Sequence, residues 1–323
     1  MSFSGEVKEE LAGRIPTARH CQIAELAALV GMCGSVCITA RNTFRLRIHT
    51  ENISVARKCF TLFQKAFNIC SDVSVRVRKN TSGRSRIFTL WVKKHEDTLR
   101  VLEALGLFGD DGEIEDGFAA AEKQLLERSC CRRAFLRGAF LASGSMTEPL
   151  KSYHFEIVCN SKERAEQIRA LIAPFGPEAK IVQRRKYDVV YVKEGAQIVD
   201  MLNIMEAHNS LMNLENIRIV REVRNSVNRK VNCEAANINK TVNAAVRQLE
   251  DIRYLAKVPG LDRLPEGLAE IARLRLDNPD ATLKELGQML DPPVGKSGVN
   301  HRLRKLSLLA QDYGQFKEEY QYD

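Results

Sequence analysis

Two sets of residues in this 323-residue chain are of types that do chemistry. The first is nine cysteines, Cys21, Cys33, Cys37, Cys59, Cys70, Cys130, Cys131, Cys159 and Cys233, whose thiols can ligate metal or pair as disulfides. Their number is odd and no C-x-x-C occurs, so neither a disulfide framework nor a zinc site is suggested. The close spacings are adjacent Cys130–Cys131 and the Cys33/Cys37 pair. Without a matching His or Cys pair to complete a ligand set, the thiols are read as buried and reduced, and no metal or cofactor is expected. The second set is the run Lys296-Ser-Gly-Val-Asn-His-Arg-Leu-Arg-Lys-Leu. At about 100° per residue, Val299, Leu303, Leu306 and Ala310 share one side of a helix, and Ser297, Asn300, His301 and Arg304 fall nearly opposite. Hydrogen-bonding side chains near the start of a basic helix can read base edges in a major groove, while Lys and Arg neutralise phosphates. Lys296, Ser297, Asn300, His301, Arg302, Arg304 and Lys305 are therefore the candidate DNA-binding residues.

The elements that must hold this helix are legible upstream. Pro265 suits a first helical turn, and Leu268, Ile271 and Ala272 form a core face before Asn278-Pro279. Thr282-Leu-Lys-Glu285 is a capping box opening a short helix with Leu283, Leu286 and Leu290 inside. Asp291-Pro-Pro-Val-Gly stops that helix, and Ser297 is placed as the cap of the next. The expectation is an all-α helix-turn-helix over 263–314 with a tail from 315 to 323. Residues 208–262 read as a polar helical linker carrying Arg218, Arg221, Arg224, Arg229 and Lys230 and an Asn-rich run from Val231. A packed linker and a second contact surface both remain open for it.

The first two-thirds of the chain reads as an internal repeat preceded by a helical segment over 1–19. Ala24-Glu-Leu-Ala-Ala-Leu-Val-Gly-Met-Cys-Gly-Ser-Val36 matches Ala134-Phe-Leu-Arg-Gly-Ala-Phe-Leu-Ala-Ser-Gly-Ser-Met146, aligning Gly34 with Gly144. Phe44-Arg-Leu-Arg-Ile-His and Tyr153-His-Phe-Glu-Ile alternate as half-buried strands do. Helices over 54–67 and 161–175 follow, then strands 73–78 with 86–92 and 180–185 with 189–192, then closing helices near 99–105 and 198–205. Each unit, 20–105 and 128–207, reads as helix, two strands, helix, two strands, helix, joined by an acidic link over 106–127.

Composition is consistent with this organisation. Hydrophobic residues make up 44%, as in globular proteins, and 49 Lys+Arg against 41 Asp+Glu leave +8. That surplus permits a polyanion partner without requiring one. The stretch 76–94 holds Arg76, Arg78, Lys79, Arg84, Arg86, Lys93 and Lys94 with no acid. Arg45 and Arg47, and the run Arg184-Arg185-Lys186, add outward charge. Such faces are as often merely solvated as they are phosphate-binding, and any contact made there carries no sequence information. The first residues lack a basic region followed by an apolar stretch, and Ile23–Ile38 is too short to span a bilayer, so a cytoplasmic, nucleoid-associated protein without a membrane partner is expected.

The segments Leu26-Ala-Ala-Leu-Val-Gly-Met-Cys-Gly34 and Leu136-Arg-Gly-Ala-Phe-Leu-Ala-Ser-Gly144 resemble the nine-residue motif of LAGLIDADG homing endonucleases. The resemblance implies two such helices packed along Ala27, Ala28, Gly31, Gly138 and Ala142, with sheets forming a DNA-binding saddle. It also implies an acidic residue before each final Gly, where paired carboxylates hold the metal that cuts DNA. Those positions are Cys33 and Ser143 here, and their neighbours Met32, Gly34, Ala142 and Gly144 supply no carboxylate, so no catalytic residue is expected. Together with Lys296–Lys305, the chain resembles the bacterial WhiA family over essentially its whole length. That resemblance implies an α+β fold, a tandem-repeat LAGLIDADG-like domain followed by a helix-turn-helix. It also implies a non-enzymatic DNA-binding role in transcription regulation, cell division, chromosome segregation and, in some relatives, sporulation. The alternatives are a metal-dependent endonuclease with displaced ligands and a scaffold docking on transcription machinery or another regulator.

Overall fold

A computed structural model describes residues 2–39, 43–80, 83–107, 121 and 123–319, without the side chains of 78–80, 83–85 and 314–319. The chain divides into two compact units, Met1–Glu222 and Val223–Asp323. The side chains of Arg78, Lys79 and Arg84 and most of the acidic link 106–127 fall outside what is described.

The first unit opens on α1 (Phe3–Gly13), whose first turn is capped where the Gly5 N–H donates to Ser2 Oγ. It sinks Phe3, Val7 and Leu11 into the unit's core. The first repeat is α2 (Arg19–Cys33), β1 (Gly34–Ile38), β2 (Phe44–Thr50), α3 (Ile53–Phe67), β3 (Asp72–Asn80), β4 (Gly83–Val92) and α4 (His95–Ala104). The second is α5 (Ser129–Ser143), β5 (Gly144–Met146), β6 (Phe155–Cys159), α6 (Lys162–Ile172), β7 (Lys180–Arg184), β8 (Tyr187–Val192) and α7 (Gly195–Met205). The two antiparallel sheets have the same strand order, β1-β2-β4-β3 and β5-β6-β8-β7. The α6 helix stops short of the expected residue 175 and gives way to a tight 3-10 turn over Ala173–Phe175, because Pro174 cannot extend the ladder. Arg185, read as a strand residue, sits in the β7–β8 turn with φ +56°.

Helices α2 and α5 pack side by side at the centre. Contacts advance together along both, His20 to Cys131, Glu25 to Arg137, Cys33 to Ala142, so the helices run in the same direction. Small residues allow this approach: a Cβ added to Gly138 would stand 2.5 Å from the Glu25 carbonyl oxygen and 3.0 Å from Ala28 Cβ. Gly31, expected in the same seam, instead faces the Arg164 guanidinium of α6. The helix pair also encloses charge. Fully buried Lys58 of α3 lies 2.5 Å from Glu25, which takes two hydrogen bonds from Arg137 at 2.9 and 3.0 Å. Arg137 in turn reaches Glu206 at 2.9 Å, and Lys58 also donates to the Leu11 and Arg14 carbonyls. Burial pulls the Lys58 ammonium down to about 8 even with Glu25 holding its proton.

Residues 208–257, read as part of a linker, form one helix, α8 (His208–Lys257). No Gly or Pro interrupts those 50 residues, so nothing local ends it. In the second unit it is followed by α9 (Glu266–Asp277), α10 (Leu283–Gln288) and α11 (Lys296–Glu319). Ile252 and Leu255, from the end of α8, share a core with Leu268, Ile271, Leu286, Leu290, Val299, Leu303 and Leu306.

Candidate nucleic-acid interface

The second unit presents one face of α11 on its surface. The helix is amphipathic as its spacing requires: Val299, Leu303, Leu306 and Ala310 are buried, while Lys296, Ser297, Asn300, His301, Arg304 and Lys305 are exposed. The neighbouring helix is set by the capping box, Glu285 N–H donating to Thr282 Oγ1 at 3.3 Å and Thr282 N–H to Glu285 Oε2 at 2.7 Å. Gly287 packs against the loop, where an added Cβ would stand 2.1 Å from the Val294 carbonyl, so α10 and α11 are locked close. Two residues are placed differently from the sequence reading. The helix starts at Lys296, so Ser297 lies within its first turn and not at its cap. Arg302 is half-buried and turns back to α9, donating to the Gly267 carbonyl at 3.4 Å. Lys296 and Asn300 also line a groove of about 690 Å³ shared with Lys240, Thr241 and Lys284.

The first unit offers a different surface on the open face of its first sheet. Register puts Arg45, Arg47 and His49 of β2 on the same face as Trp91 and Thr89 of β4 and Arg76 of β3. Arg47 donates to Ser35 Oγ at 3.1 Å, with its guanidinium carbon 5.7 Å from the Trp91 ring centre. His49 Nδ1 lies 3.0 Å from Thr89 Oγ1; burial, and then Arg47 and Arg76, hold its pKa below the ordinary value. Together with Lys8 of α1, Cys33 and Glu51, the residues Arg47, His49, Arg76, Thr89 and Trp91 line a cleft of about 590 Å³.

The second sheet is not a copy of that face. By register Glu156 occupies the place of Arg47, opposite Tyr191 as Arg47 is opposite Trp91. Arg184, expected to face a phosphate, is engaged with Glu156 at 2.9 Å, beside His154 at 3.0 Å and Ser145 at 2.9 Å. Burial raises the Glu156 carboxyl, but these donors outweigh it and hold it below its ordinary value. Arg185 remains exposed in its turn.

Where the helix pair ends, Cys33 and Ser143 are the last residues of α2 and α5. The Ser143 hydroxyl donates to the Val158 carbonyl at 2.7 Å, and the Cys33 thiol points to the Ala142 carbonyl at 3.7 Å. Burial pushes the thiol up to about 11, although the Lys8 ammonium pulls the other way. Both side chains are proton donors aimed at carbonyls, and the cleft lined by Cys33 holds three cations, Lys8, Arg47 and Arg76, against one carboxylate, Glu51. A divalent cation needs the reverse arrangement of charge.

The structure brings Lys296, Ser297, Asn300, His301, Arg304 and Lys305 to one helix face, and Arg45, Arg47 and Arg76 to one sheet face. The sequence expectation named these residues without joining Arg76 to Arg45 and Arg47. It did not find Lys8 or Trp91. Lys8 arrives from a helix assigned no role, and its only signal was one cation in an otherwise acidic α1.

Comparison with known proteins agrees with this architecture. Residues 19–108 match the WhiA N-terminal LAGLIDADG-like domain, 132–224 the WhiA LAGLIDADG-like domain, and 227–310 the WhiA C-terminal HTH domain. The chain is 52% identical over 310 residues to a probable cell division protein WhiA of Lachnoclostridium phytofermentans, covering 96% of this chain and 98% of the relative. It is 48% identical to the one from Alkaliphilus oremlandii, over 96% and 97% of the two chains. The crystal structure of full-length WhiA from Thermatoga maritima is similar at 26% identity and TM-score 0.57, over 97% and 99% of the two chains. With both LAGLIDADG-like repeats and the helix-turn-helix matched in order, the chain belongs to the WhiA family.

Proposed function

We propose that this protein is a non-catalytic, sequence-specific binder of double-stranded DNA that acts in transcription regulation linked to cell division and chromosome segregation. The observation that carries the reading is α11: an exposed polar, basic face from Lys296 to Lys305 on a helix whose other face is buried in a helix-turn-helix core. Ser297, Asn300, His301 and Arg304 reach base edges, while Lys296 and Lys305 meet phosphates. Arg302 braces α11 on α9. The Arg45–Arg47–Arg76 face adds backbone contacts, whereas Arg184 contributes little, its charge being used on Glu156. A DNA partner would place the protein on the nucleoid, and no helix among the described residues is long and apolar enough to cross a membrane.

Arg304→Ala is expected to weaken specific binding by about 1–3 kcal/mol, roughly 5- to 150-fold, while leaving nonspecific affinity nearly unchanged. A gel-shift titration on a genomically mapped fragment against a scrambled one measures it; equal affinity for the mapped fragment would remove Arg304 from the reader. Hydrolysis is not expected, because Cys33 and Ser143 offer no oxyanion and Lys8 repels a divalent cation. Supercoiled plasmid incubated with protein and Mg²⁺ or Mn²⁺ should stay intact on an agarose gel, and nicking abolished by substitution of the residues around Cys33 would refute this.

A further inference from the structure

The helix pair has a second chemically distinctive end. Opposite the Cys33 and Ser143 end, the first turns of α2 and α5 bring together His20, Cys21, Cys130 and Cys131. One ligand atom from each lies within 4.8 Å of all the others. His20 Nδ1 is 3.2 Å from Cys131 Sγ and 3.3 Å from Cys21 Sγ. A tetrahedral Zn²⁺ with bonds of about 2.3 Å to sulfur and 2.0 Å to nitrogen sets its ligands roughly 3.5–3.8 Å apart. The nitrogen–sulfur separations are already within a few tenths of an ångström of that spacing.

The surroundings favour a negatively charged site. Neither helix has a side-chain N-cap, and all four residues lie in the first turns, beside the positive ends of both helix dipoles. Arg133 lines the adjoining hollow of about 500 Å³ together with Arg14, Arg137 and the Glu206 carboxylate that pairs with both of them, and Cys130 is exposed to it, which provides an entry path. Three thiolates with Zn²⁺ carry a net charge of −1, matched to this environment.

We propose that His20, Cys21, Cys130 and Cys131 form a structural zinc site that fastens the two repeats together at the amino-terminal end of the helix pair. Three thiols lose their protons to solvent as the ion enters, and His20 binds through Nδ1 with its remaining proton on Nε2. Soft sulfur donors select Zn²⁺ over Mg²⁺ or Ca²⁺. An iron–sulfur cube would hold its cysteines farther apart, because iron and sulfide stand between them.

Full-length protein, purified under reducing conditions and stripped with a chelator, should take up one equivalent of Zn²⁺ in competition with a chromophoric chelator. With Co²⁺ it should give intense thiolate charge-transfer bands and a tetrahedral d–d spectrum. Cys130→Ser and His20→Ala should each weaken Zn²⁺ binding by more than about tenfold, whereas Cys70→Ser, at an exposed thiol outside the cluster, should not. Zinc should also raise the melting temperature of the unaltered chain and not that of Cys130→Ser. Because Cys130 is exposed, that variant should fold. The proposal is overturned by an octahedral cobalt spectrum, by zinc affinity unchanged in Cys130→Ser, by recovery of iron with sulfide, or by a disulfide among these cysteines in protein freshly isolated from cells.

Discussion

Single residues set the chemistry this molecule can and cannot perform. At Cys33 and Ser143 the difference between an acid and a weak donor decides whether a metal can be held, and both side chains settle onto backbone carbonyls. Buried thiols also make a titration signature. Burial pushes Cys33 to about 11 and Cys159 to about 12, and pushes Cys59 up as well, from an ordinary value of 9.0. Above pH 9 the unfolded chain releases these protons while the folded one keeps them. The stability they contribute is therefore intact below pH 9 and is lost as pH rises through the folded values. Lys58, lowered to about 8, works in the opposite direction, but three thiols outweigh one amine. Urea unfolding midpoints should thus fall between pH 9 and 11; a midpoint that rises over this window would contradict the assignment. Burial, expected for the thiols as a set, holds for Cys21, Cys59, Cys131 and Cys159, whereas Cys70, Cys130 and Cys233 are exposed, because number and spacing do not fix which side of an element faces the core.

At the level of elements, periodicity and capping chemistry were enough. The Thr282–Glu285 capping box forms as its spacing dictates, and the alternation of Val299, Leu303, Leu306 and Ala310 survives intact in the packed helix. The small-residue seam of α2 and α5 was legible in outline, but its membership depended on rotation about the helix axes, which a linear pattern does not fix. Gly138 faces the partner backbone; Gly31 faces Arg164. Gly138→Val should therefore force the helices apart and destabilise the first unit by about 1–3 kcal/mol, as overpacking does. Thermal unfolding followed by circular dichroism checks it, and a variant as stable as the parent would mean the seam is looser than its contacts indicate.

Across the whole molecule the two units have separate cores, one gathered on α2 and α5 and one on α9, α10 and α11. A chain ending at Glu222 should unfold cooperatively on its own yet lose the specific footprint, because α11, the proposed reader, goes with the second unit. Loss of cooperative unfolding would show that the first unit depends on the second, and a retained footprint would move the reader into the repeats. Amino-acid order alone determined the repeat, the helix-turn-helix, the missing carboxylates and the family, since these rest on local periodicity and on residue identity. Tertiary structure alone decided which charges meet. It set Glu156 against Arg184, brought Lys8 to Cys33, and drew His20 and Cys21 to Cys130 and Cys131 across more than a hundred residues of chain. The physical reason is that ion pairs and metal sites depend on separations of a few ångströms, and sequence spacing fixes such distances only within a single helix or strand.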